Sequence, residues 1–111
     1  MIYLASPYSH PDPMVRSNRY YTALHYTARR MREFNELIFS PIVYGHPFGK
    51  DGLMGTCFQT WLDFNETMLR KSEEMRILQL PGWEESKGIQ AEIAFAHKIN
   101  LKITRVNLED I

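Results

Sequence analysis

Short apolar runs alternate along the chain with longer stretches whose apolar residues recur every three or four positions, the pattern of strands alternating with amphipathic helices. Met1-Ile2-Tyr3-Leu4-Ala5 reads as a buried strand that stops in a run of turn formers from Ser6 to Pro13. Asp12 then suits a helix N-cap with Pro13 in the first helical position, and Tyr20, Leu24, Thr27 and Met31 keep helical spacing up to about Phe34. Leu37 to Ser40 is the second strand. Residues 41–57 hold Gly45, Gly49, Gly52 and Gly55. Connections in compact domains usually run to about 4–6 residues, so this stretch is expected to be a long lid or binding loop. Phe58, Trp61, Leu62, Asn65, Met68 and Leu69 form the stripe of a second helix, and Met75 to Leu80 reads as the third strand. A turn from Pro81 to Ser86 leads into a third helix ending near Ile99, and Leu101 to Thr104 is the last strand.

A βαβαβαβ order demands right-handed crossovers and a parallel sheet covered by helices on both faces. The expectation is therefore one α/β domain over residues 1–111, a flavodoxin-like, doubly wound, four-stranded parallel sheet in strand order 2-1-3-4. In that order ligands bind where strands one and three diverge at their carboxyl ends. The loops leaving those strands nominate Ser6, Tyr8, Ser9, Trp83, Ser86 and Gly88 as substrate contacts. Glu92, one turn into the third helix, falls inside the arc formed by Ile89, Ile93, Phe95, Ala96 and Ile99. Gln90, His97 and Lys98 show that polar positions were available elsewhere on the wheel. A carboxylate on an apolar face needs a compensating partner or a function.

Composition narrows the ligand. Of 111 residues 44% are hydrophobic, enough for a single core, and 13 basic residues balance 13 acidic ones. No Lys/Arg block is present, so a nucleic acid polymer has no electrostatic footprint and a small molecule is the expected partner. A lone Cys57 excludes an internal disulfide and a Cys-based zinc site, and the four histidines lack metal-ligand spacing, so neither metal nor cofactor is expected. With no signal peptide and no apolar run long enough for a membrane helix, the expectation is a soluble, cytoplasmic chain.

Ile2-Tyr3-Leu4-Ala5-Ser6 and Ser86-x-Gly88-x-x-x-Glu92, followed by Ala94 and Ala96, together with Asp63 eleven residues before Glu74, resemble the nucleoside 2-deoxyribosyltransferase and nucleotide N-glycosidase superfamily, including its short, phage-borne relatives. The resemblance spans most of the chain. It implies that Glu92 is the catalytic carboxylate, that Asp63 meets the departing base, and that Tyr3 stands at the position of the family's Tyr. It also implies that subunits pair and complete one another's sites, so a homodimer or larger homo-oligomer is expected. Two positions depart from the pattern. Ile93 stands where the family usually has Gly, and Ser6-Pro7-Tyr8-Ser9 lacks the Arg of the phosphate cradle, which Arg16, Arg19 or backbone amides at the helix N-terminus could replace.

Cleaving an N-glycosidic bond needs a carboxylate beneath the anomeric carbon and a partner for the leaving base. A helix N-terminus favours an ionised Glu92 by roughly 0.3–1 kcal/mol. That is less than about one pKa unit, whereas burial can raise a carboxyl by up to about 3–5 units. A hydrogen bond is thus required, with the phenol of Tyr3 or the hydroxyl of Ser86 as donor, while Trp83 or Tyr8 could stack on the base. Each reading has a structural competitor: Asp63 lies opposite its helix's apolar stripe, where Asn65 is its rival, Ser86 suits an N-cap, Tyr3 suits a core and Trp83 suits loop packing. Two functions follow, cleavage of the N-glycosidic bond of a nucleoside or nucleotide by transfer or hydrolysis, or non-catalytic binding and sequestration of a nucleotide-derived ligand.

Overall fold

The computed structural model describes residues 1–111 apart from the side chain of Phe58, whose place in the predicted stripe therefore lies outside the described residues. Four strands, β1 (Ile2–Ala5), β2 (Ile38–Phe39), β3 (Glu74–Leu78) and β4 (Lys102–Val106), form one parallel sheet in the order β2-β1-β3-β4. Four helices, α1 (Pro13–Phe34), α2 (Pro41–Lys50), α3 (Phe58–Arg70) and α4 (Lys87–Lys98), connect them. The expected α/β architecture and strand order are those observed. Among the described residues no helix is long and apolar enough to cross a membrane.

Alternation along the strands sorts the core into two layers, because successive strand side chains point to opposite faces. Tyr3, Ala5, Met75 and Ile77 share one cluster with Leu69 of α3 and Ile89, Phe95 and Ala96 of α4. Leu4, Ile38 and Leu78 join Ala23 and Tyr26 of α1 in the other. The buried positions of α1 are Ala23, Tyr26 and Thr27, so its core face is rotated from the predicted stripe, and Met31 is exposed.

Residues 41–57 are not one long loop. Ser40 accepts a hydrogen bond from the Val43 amide and Pro41 takes the first turn, which is how α2 starts immediately after β2. Gly45, Pro47 and Gly49 hid this helix, since each is a poor interior helix former. Gly45 has a packing reason: a Cβ there would lie 3.3 Å from the Trp61 ring.

The α1 face of the sheet carries a polar network at the start of the strands. Arg76 on β3 donates to both carboxylate oxygens of Glu36 at 3.1 and 2.8 Å, to the Tyr26 hydroxyl at 3.1 Å, and to Glu74 at 3.2 Å. Arg30 also reaches Glu36, and Thr104 donates to Glu74. Hydrogen bonds from Arg76 and Arg30 pull the Glu36 pKa down to about 2.

Candidate functional site

Beyond the carboxyl ends of β1 and β3 lies a cavity of about 520 Å³, with Ser6, Tyr8 and Ser9 of the first loop on one side and Glu85 to Ile89 at the start of α4 on the other. Helices α2 and α3 and the segment between them supply most of the remaining wall, including His46, Asn65 and Glu66. Glu92 reaches the cavity from α4, and its Oε2 accepts a hydrogen bond from the hydroxyl of Tyr3. Tyr3 is fully buried in the core beneath it. Register places this pair together: Tyr3 is opposite Met75 of β3, the strand that leads into α4.

Burial raises the Glu92 carboxyl from its ordinary 4.5 to about 7, and the Tyr3 hydrogen bond opposes that rise. The phenol of Tyr3 is itself raised, by burial first and by the Glu92 charge second. Of the two donors the energetics required, Tyr3 is the one used. Ser86 caps α4 instead, its hydroxyl accepting from the Ile89 amide at 3.2 Å. Among the described residues Oε1 of Glu92 has no hydrogen-bond partner, so one carboxylate oxygen is held and the other is not.

Ser6, Tyr8, Ser9, Ser86 and Gly88 all line this cavity with Glu92. Ser6 is buried, and its Oγ has no partner, as does Oδ1 of Asn65 across the cavity. Buried polar atoms left without partners are costly, which makes both candidate contacts. Asp63 and Trp83 are not brought into the wall. Asp63 is exposed on α3, where Asn65 and Glu66 face the cavity in its place. The Trp83 ring packs against the core cluster, with the Arg105 guanidinium 5.9 Å from its centre. Glu74, whose spacing from Asp63 supported the resemblance, belongs to the Arg76 network on the opposite face of the sheet.

Neither Arg16 nor Arg19 lines the cavity as a phosphate cradle. Arg19 donates to the carbonyls of Ser9 and Pro81, both at 3.0 Å, and so ties the two cavity loops together. Arg16 bonds the carbonyl of His10. Gly82 lies under Arg19 with φ +93°, and a Cβ there would approach its Nη2 to 2.6 Å. The charged groups of the wall are Glu66, Glu85, Glu92 and Lys87. Among the described residues no cluster of three His, Cys, Asp or Glu side chains is placed to share a metal ion.

A family model described as a domain of unknown function, DUF1937, matches residues 1–107. The chain belongs to the DUF1937 family. No curated protein matches it. The matched span of the DUF1937 domain takes in the whole cavity wall, Tyr3 and the Arg76 network.

Among the wall residues of the DUF1937 domain that sequence reasoning missed, His46 has the most defined surroundings. His46 lines the cavity from α2, its ring stacked on Tyr20 at 4.0 Å between centroids, with the Tyr8 hydroxyl 2.7 Å from Nδ1. Tyr8, one of the two rings that could stack on a base, has its hydroxyl bonded to this imidazole. The usable signal was position, for His46 falls in the Gly-rich segment already expected to bind. A test for metal-ligand spacing alone discards it.

Proposed function

We propose that this cavity cleaves the N-glycosidic bond of a nucleoside or nucleotide, with Glu92 as the carboxylate at the anomeric carbon. The observation that carries this reading is the Tyr3 to Glu92 hydrogen bond on a carboxylate whose pKa of about 7 leaves it substantially ionised at neutral pH. A carboxylate held by one oxygen on the wall of a cavity large enough for a small ligand suits either a glycosyl-enzyme or an oxocarbenium-like state. The likeness of Ser86-x-Gly88-x-x-x-Glu92 to the nucleoside 2-deoxyribosyltransferase and N-glycosidase motif adds the substrate class. Asn65 and Glu66, rather than Asp63 of the same chain, then lie within reach of the base.

The exposure of Asp63 favours a second reading, in which the pocket binds a nucleotide-derived ligand without turnover. A panel of nucleosides and 5'-monophosphates, assayed chromatographically for free base, separates the two. Release from at least one member, abolished in Glu92→Ala, is expected. No release from any, together with tight nucleotide binding that Glu92→Ala leaves intact, would instead establish the binder.

A homo-oligomer is part of the same proposal. Tyr44, Leu62 and Phe64 are large, apolar and exposed, Tyr44 stacks on Phe64, and Leu62 lines the cavity. A second copy over these side chains would remove them from water. Sedimentation equilibrium is expected to give a dimer or larger species that Leu62→Arg shifts toward monomer. A monomeric wild type at high micromolar concentration would refute this.

A further inference from the structure

We propose that His46 donates, from Nε2–H, the hydrogen bond that receives the base as it departs from the sugar above Glu92. This rests on the glycosidase reading of the cavity.

The Tyr8 hydroxyl stands 2.7 Å from Nδ1 of His46. Two arrangements would fit that distance, a phenol donating to a bare Nδ1 or an Nδ1–H donating to the phenol oxygen. Burial raises the Tyr8 pKa, so its proton stays on the oxygen. Burial, then the positive charges of Lys50 and Arg16, lower that of His46, which favours the neutral ring. Were Nδ1–H the donor, the Tyr8 O–H would have no acceptor among the described residues, so the phenol donates to Nδ1 and the ring proton is on Nε2. Among the described residues Nε2 has no partner. Tyr20 fixes the plane of the ring, with only 18° between the two rings. The result is one N–H donor held in a single tautomer and a single plane on the cavity wall.

The other polar groups of the wall suit this role less well. Carboxylates of Glu66 and Glu85 accept when ionised, the unpartnered atom of Asn65 is its acceptor Oδ1, and the donors of Lys87 and Gln59 sit on long, exposed side chains that no ring holds in one plane. Departure of a base breaks the C1'–N bond and leaves the electron pair on the base, so negative charge grows on a ring nitrogen or carbonyl. A preorganised donor aimed at that charge lowers the barrier. Glu92 supplies the electron pair at C1' on the other side. In hydrolysis, water then places its hydroxyl on C1', which returns the electron pair to the Glu92 carboxylate, and its proton on the base, so Glu92 and His46 end the cycle as they began.

Two measurements test the role. In protein labelled with 15N at histidine, near neutral pH, the His46 ring is expected to be neutral with its proton on Nε2, and Tyr8→Phe is expected to mix the two tautomers. An imidazolium or an Nδ1–H ring in the wild type would overturn the proposal. For the best nucleoside of the panel, His46→Phe keeps a flat ring beside Tyr20 but no N–H, and base release is expected to fall roughly 10²–10³-fold. With the same nucleoside methylated on its base ring, so that the base leaves uncharged, the loss should be less than about threefold, which also shows that the variant is folded. Equal losses on both substrates would overturn the proposal. A wild type with the Nε2–H ring that releases base from no nucleoside would remove the glycosidase reading itself, and the role of His46 with it.

Discussion

Glu92→Gln is expected to make the protein more stable by about 3 kcal/mol at about pH 8 while removing its activity. The wild-type carboxyl has a folded pKa of about 7 against an ordinary 4.5. The folded state therefore holds this proton more tightly than the unfolded chain does. Below about pH 4 both states are protonated and Glu92 costs little. As pH rises from 4.5 toward 7 the unfolded chain gains by ionising, and the folded state loses about 1.36 kcal/mol of stability for each pH unit between those two values. Gln is nearly isosteric, still accepts from Tyr3, and carries no charge to desolvate. Chemical denaturation at about pH 4 and pH 8 checks the sign: the variant should match the wild type in acid and exceed it in base. A Glu92→Gln protein less stable than wild type at about pH 8 would mean that the carboxylate is satisfied where it lies. The trade of stability for a charged group in a cavity is what a functional residue, unlike a structural one, is expected to show.

Arg76→Ala is expected to have the largest effect in the opposite direction, a loss of about 3 kcal/mol or more. Its side chain is only 11% exposed and bridges Glu36, Glu74 and Tyr26. Removing it leaves two carboxylates in a half-buried layer with Arg30 as their remaining cation, and an uncompensated buried charge typically costs about 3–5 kcal/mol. The network also sets the acid limit. Because the Glu36 pKa is depressed to about 2, its contribution is complete above the ordinary carboxylate range and is lost as pH falls from 4.5 toward 2. Acid unfolding of the wild type should therefore steepen over that window, and Arg76→Ala should unfold at higher pH. Replacing Arg76, Glu36 and Glu74 together by apolar residues should recover part of the loss. A single Arg76→Ala variant within about 0.5 kcal/mol of wild type would show that the network adds little.

The strand order and the position of Glu92 were legible because both depend on local periodicity and on general rules of handedness. Glu92 stands out on its wheel, and the crossover rule carries it to the ends of β1 and β3. Tyr3 as its partner was half legible: the energetics demanded a donor but left Tyr3 and Ser86 open, and the choice depends on register and on the capping of α4. Helix α2 was not legible, because Gly45, Pro47 and Gly49 oppose helix formation locally and are tolerated by contacts such as that of Gly45 with Trp61. The Arg76 network joins residues up to 50 positions apart, a relation that no local pattern carries. The same limit applies to Tyr8, His46 and Tyr20, which come from three separate elements. A helical wheel ranks faces by hydrophobicity, and so it left Asp63 and Asn65 as rivals; the cavity wall includes Asn65.

The most direct test of Glu92 as the carboxylate that cleaves the glycosidic bond is the pH dependence of base release, measured as initial rate with the best substrate of the panel. The nucleophilic form is the ionised one, so the rate should climb with pH through about 7 and then level, following the raised pKa of Glu92. Tyr3→Phe removes the hydrogen bond that favours ionisation and should move the midpoint to higher pH. Glu92→Gln should release no base above background at any pH. A Glu92→Gln variant that retains the wild-type rate, or a wild-type midpoint in the ordinary carboxylate range near 4.5, would contradict this role.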